Sequence, residues 1–349
     1  MDRMDINMPF LLKYENVAWF ENGIVRILDR RIYPELSYVE CRDYREVVQA
    51  IADMVTQSAG PYTAVGMGMA LAAWQVRNEP ESKQLEFLKQ AAFELANARP
   101  TTANRYGKIT EDCYRVAGKA LKEGKDASQA VFENTVASLN RRYSTMQKVG
   151  NTLLELIPEN GTILTQCFGE TIIGTLIRAS IENNKPFKVF CAETRPYFQG
   201  ARLTASCFAD MGFDTTLICD NMVAYAMENC GIDLFTSAAD SITRDGHIAN
   251  KVGSYQMAIL AKHHSIPYYV SGIPDADKFS RSDIKIEMRD PTLVHEYRGI
   301  RNTLPQVKAI YPSFDIVPPE LISGIVTDKG IFAPQHLNSY FETETAKFY

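Results

Sequence analysis

The chain has 349 residues, enough for one large domain or two of moderate size. Hydrophobic residues make up 46% and charged residues 23%, the balance of a globular protein with a substantial apolar core. The formal net charge of -5 argues against a broad nucleic-acid-binding surface, which needs excess positive charge. A local basic pocket for one phosphate group is compatible with that balance.

The amino terminus and the cysteines bear on where the protein works. Residues 1–20 lack the basic start and apolar stretch of a secretory signal, and no apolar run approaches the ~18 residues of a membrane span. The 7 cysteines are scattered without a C-x-x-C pair, so they indicate neither a disulfide framework nor a zinc site. We therefore expect a cytoplasmic protein with reduced thiols and no membrane contact.

Residues 1–145 are predicted to form a largely helical domain that starts with short strands. Val17–Phe20 and Ile24–Leu28 flank Glu21-Asn22-Gly23, a turn typical of a hairpin. Tyr38–Cys41 adds a third strand. Apolar residues at helical spacing then predict helices over Tyr44–Thr56, Ala64–Gln75, Lys83–Asn97, Thr102–Lys122 and Ala127 to about Leu156.

Residues 146–349 are predicted to form a Rossmann-like domain with a doubly wound parallel sheet. Strand-like runs alternate with helical segments, the pattern of repeated strand–helix units. The predicted strands are Thr162–Thr165, Phe187–Cys191, Thr215–Cys219, Leu234–Thr236 and Pro267–Val270. The helices between them include Ile172–Asn183, Thr204–Met211 and Met222–Asn229. The fold class is therefore α/β.

Polar or reactive residues follow each predicted strand, where open parallel sheets bind their ligands. They are Gln166-Cys167, Glu193-Thr194-Arg195, Asp220-Asn221, Asp240 and Ser271-Gly272. Cys167 precedes a predicted helix, whose positive amino-terminal end would favour a thiolate. Structural interpretations stand beside these: a core cysteine, helix N-caps at Asp220 and Asp240, and a surface ion pair for Arg195.

The sequence has no motif for a nucleotide cofactor or a metal. Gly66-Met67-Gly68 lies in a helical pattern and lacks the third glycine of a dinucleotide loop, so it indicates helix packing and disfavours a dehydrogenase. The five histidines show no metal-ligand spacing. We expect no cofactor.

Several sequence runs together resemble one protein family. They are Glu193-Thr194-Arg195-Pro196, Gln199-Gly200-Ala201-Arg202-Leu203-Thr204, Cys219-Asp220-Asn221-Met222, Ala239-Asp240-Ser241-Ile242, Ala249-Asn250-Lys251-Val252-Gly253 and Arg289-Asp290-Pro291. Over nearly its full length the chain resembles the methylthioribose-1-phosphate isomerase family, in the superfamily that includes the regulatory subunits of translation initiation factor 2B. The resemblance implies a cytoplasmic, homodimeric enzyme of methionine salvage whose substrate is a sugar phosphate.

The resemblance also implies the residues that carry the reaction. Cys167 and Asp240 match the catalytic cysteine and aspartate of the isomerases, a pair that the initiation-factor subunits generally lack. The residues expected to hold the substrate are Arg99, Gln199, Asn250 and Lys251.

The chemistry follows from the substrate, because an aldose 1-phosphate is locked as a ring by its esterified anomeric oxygen. We expect Asp240 to handle the proton on the ring oxygen and Cys167 to move the proton at C2, giving a ketose 1-phosphate. A hydride shift from C2 to C1, with Cys167 acting on the hydroxyl, is the competing route. Neither route requires a metal or nicotinamide.

Three departures from the family pattern leave the substrate open. Gln57, at a substrate-binding position, stands where the R-G-A-P run has a phosphate-binding arginine, and an amide supplies neither its charge nor its paired donors. Gln166 and Phe168 depart from the T-H-C-N pattern, and the segment after the cysteine is shorter than usual. The alternatives are a ribose-1,5-bisphosphate isomerase-like enzyme, an isomerase of a 5-deoxy pentose 1-phosphate, and a non-catalytic, nucleotide-sensing regulatory protein.

Overall fold

The computed structural model describes residues 3–99 and 103–342. The chain divides into two compact units, one up to Thr145 and the other from Met146 onward, and the boundary falls inside one long helix. Each unit buries its own set of apolar side chains. Among the helices of the described residues, none combines the length and apolar character needed to span a bilayer.

In the amino-terminal unit, two short 3-10 helices, Phe10–Leu12 and Tyr14–Asn16, precede an antiparallel sheet of three short strands. They are β1 (Trp19–Glu21), β2 (Ile24–Leu28) and β3 (Tyr38–Cys41). In the turn between β1 and β2, Asn22 and Gly23 have φ angles of 50° and 77°, the left-handed conformations that an Asn-Gly hairpin turn requires. The predicted hairpin is confirmed.

Five helices of the described residues follow this sheet. They are α1 (Tyr44–Ala52), α2 (Gly60–Gln75), α3 (Glu81–Ala96), α4 (Ala103–Lys122) and α5 (Ala127–Leu156). α2 is buried along most of its length, and its Gly66 and Gly68 lie against Thr135 and Leu95, so these glycines serve helix packing as predicted. The predicted first residue of α4, Thr102, lies outside the described residues.

The carboxy-terminal unit alternates strands with helices. Its strands are β4 (Thr162–Gln166), β5 (Lys188–Ala192), β6 (Thr215–Ile218), β7 (Leu234–Ala238), β8 (Ser241–Ile242), β9 (Ile248–Lys251), β10 (Tyr268–Ser271), β11 (Glu296–Tyr297), β12 (Ile300–Arg301), β13 (Phe314–Val317), β14 (Gly324–Thr327) and β15 (Gly330–Phe332). Its helices are α6 (Glu170–Glu182), α7 (Ser206–Asp210), α8 (Val223–Asn229), α9 (Ser254–His263) and α10 (Thr292–His295).

Seven of these strands form one sheet in the order β15-β14-β10-β7-β4-β5-β6, in which all neighbours are parallel except β14 and β15. The chain runs outward from β4 through β5 to β6 and then returns to β7 on the other side of β4. β4 and β7 therefore flank the point where the strand order reverses, where doubly wound folds open a ligand crevice. The predicted doubly wound α/β fold is confirmed.

Two smaller strand groups accompany this sheet. β8, β9 and β13 form an antiparallel sheet, and β11 pairs with β12 in a hairpin. The predicted helix Thr204–Met211 begins too late, because a turn of π-helix over Gly200–Ala205 leads directly into α7.

Candidate functional site

Cys167 and Asp240 lie at the point where the strand order reverses. Cys167 is the first residue after β4, and Asp240 comes two residues after β7. β4 and β7 are hydrogen-bonded parallel neighbours, so both side chains belong to the carboxyl edge of the sheet. The two groups are also electrostatically coupled, because the charge of Asp240 contributes to the raised pKa of the Cys167 thiol.

Two threonines fix the backbone of Cys167. Its φ of 59° is in the left-handed region, which non-glycine residues seldom adopt. Its N–H donates to Thr194 Oγ1 over 2.8 Å, and its carbonyl accepts from the Thr204 hydroxyl. Thr194 Oγ1 donates in turn to the Ala192 carbonyl at the end of β5, over 3.1 Å. The cysteine is thus held by hydrogen bonds from the neighbouring strand and the π-helical turn.

The Cys167 thiol is neutral at ordinary pH. Burial, the largest effect, raises its pKa to about 11, the cations of Lys251 and Arg289 oppose that rise, and the Asp240 carboxylate adds to it. The expectation of a thiolate is therefore wrong. Gly169 is the N-cap of α6, so Cys167 lies ahead of the helix, and loss of hydration outweighs any benefit from the helix dipole.

The segment that carries Asp240 is anchored on its carboxy-terminal side. The Asp240 N–H donates to the Ala249 carbonyl over 2.8 Å. The next residue, Ser241, donates to Asp275 Oδ2 over 2.7 Å and accepts from Lys278 Nζ over 2.6 Å. Asp240 itself is exposed and lies between two strands, so its interpretation as a helix N-cap is wrong.

Asn250 and Lys251 are the last two residues of β9, and both are buried. Asn250 Nδ2 donates to Ser254 Oγ over 2.9 Å. Lys251 Nζ lies 5.8 Å from the Tyr311 ring centroid and 5.2 Å from that of Phe314. Since the Lys251 charge acts on the Cys167 thiol, β9 brings a buried cation to the same edge of the sheet.

Gln199 directly precedes the π-helical turn and is 5% exposed. Its Oε1 atom is buried without a hydrogen-bond partner among the described residues. The next residue must be glycine, because a Cβ on Gly200 would come within 1.8 Å of the Ala192 carbonyl oxygen. This close approach sets Gln199 beside the end of β5.

Gln57 and Arg99 belong to the amino-terminal unit, whereas the other predicted site residues belong to the carboxy-terminal one. Gln57 lies shortly before α2, is 3% exposed and donates from Nε2 to the Met54 carbonyl over 3.3 Å. The fully buried Arg30 donates from Nη1 to the Gln57 carbonyl over 2.8 Å. Arg99 is half-buried and follows α3.

Two other strand-end residues have structural roles. Asp220 accepts from the backbone N–H groups of Thr194 and Arg195 over 2.8 and 2.7 Å, which joins the ends of β5 and β6 rather than capping a helix. The Arg195 guanidinium donates to carbonyls at the end of α10, including that of Val294 over 3.2 Å. It does not form the expected surface ion pair in the part of the chain that the structure describes.

Arg289 and Tyr311 are site residues to which the sequence patterns assigned no role. Residues 287–291 read as a charged turn, but the Arg289 side chain is only 13% exposed, and its Nε lies 3.4 Å from Glu287 Oε1. The positive charge of Arg289 acts to lower the pKa of the Cys167 thiol. Its N–H donates to the Tyr311 carbonyl over 2.8 Å, and burial raises the pKa of Tyr311. The available signal was the Arg289-Asp290-Pro291 run.

No group of three or more His, Cys, Asp or Glu side chains that could hold a metal ion occurs in residues 3–99 and 103–342. The residues at the sheet edge provide a thiol, a carboxylate, two cations and several amides. This set can transfer protons and bind an anionic, hydroxyl-bearing ligand.

Comparisons with known proteins agree with this fold and identify the family. The model of the initiation factor 2 subunit family matches residues 60–334. The chain is 35% identical to methylthioribose-1-phosphate isomerase of Carboxydothermus hydrogenoformans, over 92% of this chain and 96% of that protein. It is also 35% identical to the enzyme of the same name from Chloroflexus aurantiacus, over 95% and 99%.

Solved structures give the same relation. The 5-methylthioribose 1-phosphate isomerase of Pyrococcus horikoshii superposes with a TM-score of 0.81 at 27% identity, covering 95% of this chain and 97% of that one. Translation initiation factor eIF-2B, subunit delta, from A. fulgidus has a TM-score of 0.78 at 29% identity, covering 91% and 96%.

These relatives and the site define an enzyme of the isomerase class. The chain belongs to the initiation factor 2 subunit family.

Proposed function

We propose that the chain is an aldose–ketose isomerase that converts S-methyl-5-thioribose 1-phosphate, or a close 5-modified pentose 1-phosphate, to the ribulose 1-phosphate. One observation carries the proposal: Cys167 and Asp240 follow adjacent parallel strands at the reversal of strand order, and the charge of Asp240 raises the pKa of the Cys167 thiol. The named relatives support a sugar-phosphate isomerase. The proposal includes a cytoplasmic homodimer, and light scattering in solution tests the dimer.

The protonation states of the two groups suggest their roles. A thiol with a pKa of about 11 holds its proton at neutral pH and can donate it to the ring oxygen as the C1–O4 bond breaks. The Asp240 carboxyl is exposed and its charge acts on the thiol, so in this proposal Asp240 is the group that accepts a proton. These roles are the reverse of those that we expected from the sequence.

The protons balance over one turnover. Cys167 gives its proton to O4, and Asp240 takes the proton from C2, which leaves an enol between C1 and C2. Asp240 then returns a proton to C1, the Cys167 thiolate takes the hydroxyl proton of the enol, and a ketone forms at C2. Both side chains end in their starting states, and no redox partner is needed. In the hydride route, Asp240 would instead take the hydroxyl proton.

The cations near the thiol suit a phosphate ester on C1. Lys251 is buried between aromatic rings, and Arg289 is largely shielded, so their charges are poorly screened by water. A phosphate dianion at this edge of the sheet would be attracted by both charges. Gln57 offers no charge at the position of the family arginine, which favours a substrate with one phosphate over a bisphosphate.

A substrate panel tests this proposal. The values of kcat/KM are measured by NMR for S-methyl-5-thioribose 1-phosphate, 5-deoxyribose 1-phosphate and ribose 1,5-bisphosphate. We expect turnover of at least one of the first two and a lower kcat/KM for the bisphosphate. A clear preference for the bisphosphate would refute the substrate assignment, and no turnover of any of the three would refute the isomerase proposal.

A further inference from the structure

The side chain of Gln166, the last residue of β4, takes part in a buried hydrogen-bond network next to Cys167. Gln166 is 2% exposed, and its Nε2 donates to the Lys251 carbonyl over 3.2 Å and to Ser254 Oγ. The Lys251 carbonyl can only accept hydrogen bonds, so the amide nitrogen must face it. The orientation of the carboxamide is thereby fixed, and Oε1 points away from these partners.

The polar groups of Ser254 and Gly253 next to this carboxamide are already paired. Ser254 Oγ donates its one proton to the Lys251 carbonyl over 2.7 Å, and it accepts from both Gln166 and Asn250. The N–H of Gly253 donates to Asp315 Oδ2 over 2.6 Å. By contrast, Gln166 Oε1 is buried and has no partner in the residues that the structure describes.

The unpaired oxygen faces the turn that joins β9 to α9. A Cβ on Gly253 would lie 3.6 Å from Oε1, and Gly253 itself is partly exposed with a φ of 104°. This turn directly follows Lys251 at the carboxyl edge of the sheet. A buried acceptor without a donor costs about 1–3 kcal/mol, so it is expected to gain a partner when a ligand enters the crevice.

The chemistry of the acceptor limits that partner. A neutral carboxamide oxygen accepts a hydrogen bond from a hydroxyl, but it has no donor for the oxygens of a phosphate. On a 5-modified ribose 1-phosphate ring, the free hydroxyls are those on C2 and C3, and the C2 group is the one that reacts. We propose that Gln166 is a specificity-determining residue whose Oε1 accepts a hydrogen bond from the C3 hydroxyl of the sugar. This inference rests on the proposed function.

The test compares S-methyl-5-thioribose 1-phosphate, here the natural sugar, with its 3-deoxy analogue in wild type, Gln166→Met and Ser254→Ala. Methionine keeps the length of glutamine but removes its hydrogen bonds. We expect Gln166→Met to lower kcat/KM for the natural sugar about 10-fold more than for the 3-deoxy analogue, because the lost network bonds affect both sugars alike and only the lost acceptor distinguishes them. Ser254→Ala disturbs the network but keeps the acceptor, so it should affect both sugars by the same factor. Equal losses on both sugars in Gln166→Met would overturn the proposal and indicate a structural role or a bound water.

Two further measurements separate the possible failures. If Gln166→Met does not fold, Gln166→Asn replaces it, because it keeps a carboxamide but withdraws the oxygen by one methylene, and it should likewise lower kcat/KM more for the natural sugar than for the 3-deoxy analogue. Calorimetric Kd values for both sugars are measured alongside turnover. Discrimination in binding without turnover by the wild type would refute the proposed isomerase reaction but support the role of Gln166. Turnover by the wild type with equal kcat/KM and equal Kd for the two sugars would support the isomerase reaction but refute the role of Gln166.

Discussion

Replacing Gly200 by alanine is predicted to disturb Cys167, the proposed catalytic cysteine, through a chain of hydrogen bonds. The added Cβ would lie 1.8 Å from the Ala192 carbonyl oxygen and 2.7 Å from Thr194 Oγ1. The Ala192 carbonyl accepts a hydrogen bond from the Thr194 hydroxyl, whose oxygen accepts a hydrogen bond from the Cys167 N–H. Any movement that relieves the clash is therefore transmitted to Cys167.

The size of the effect follows from this geometry. Carbon and carbonyl oxygen rarely approach closer than about 3 Å, so the end of β5 or the π-helical turn must shift by more than about 1 Å. Overpacking of this kind typically costs about 1–3 kcal/mol, which lowers Tm by roughly 2–8 °C in a protein of this size. A displacement of about 1 Å at a reacting group can cost about 100-fold in rate.

The assay measures Tm by scanning fluorimetry and kcat/KM with the best substrate of the panel. Gly107→Ala in α4 is the matched control, because a Cβ there meets nothing within 4 Å. Alanine is the better helix former by about 0.5–1 kcal/mol, so the control should be as stable as the wild type or more so, with unchanged activity. A Gly200→Ala protein with wild-type Tm and kcat/KM would refute the reasoning.

Three further predictions concern the same site. Thr194→Val leaves the Cys167 N–H without an acceptor, so urea unfolding should show a free energy of unfolding lower by about 1–3 kcal/mol. The control is Thr110→Val, in which a buried helical threonine loses only its own hydroxyl, and its loss should be smaller. Equal losses in the two variants would contradict the prediction. Because the pKa of the Cys167 thiol is raised, peptide mapping should show that Cys167 is alkylated at pH 8 roughly 200-fold more slowly than a free cysteine. The rate of alkylation should rise tenfold per pH unit up to about pH 11. Alkylation of Cys167 at the rate of a free cysteine would refute the neutral thiol. Since exposed Asp240 exchanges its proton with solvent, the ketose formed in D₂O should carry deuterium at C1 by NMR, and its absence would favour the hydride route.

Much of the fold could be predicted from local patterns. The strands β4, β5, β6, β7 and β10 are short apolar runs between turn residues, and the predictions place them to within two residues. β8, β9 and β13 were missed because they are two to four residues long and carry polar side chains. Asn250 and Lys251 are buried in β9 by tertiary packing that no periodicity announces. β14 and β15 follow a long irregular segment and were missed as well.

The candidate site was predictable in part. The rule that ligands bind at the carboxyl ends of parallel strands brought Cys167 and Asp240 to one edge, which the sheet order bears out. The protonation state of Cys167 was not predictable, because desolvation depends on residues distant in the sequence. The role of Arg289 was not predictable either, because its run of charged residues resembles an exposed turn although the side chain is largely buried.

The most direct test of the account is the effect of removing each proposed proton-transfer group on kcat. Cys167→Ser and Asp240→Asn are compared with Cys230→Ser at the end of α8 and with Asp233→Asn. The Asp233 carboxylate accepts from the N–H of Thr162 over 2.8 Å, at the opposite end of β4 and β7. We predict that each of the first two changes lowers kcat at least about 100-fold while both controls stay within about threefold of wild type. Near-wild-type turnover by Cys167→Ser or Asp240→Asn would contradict the account.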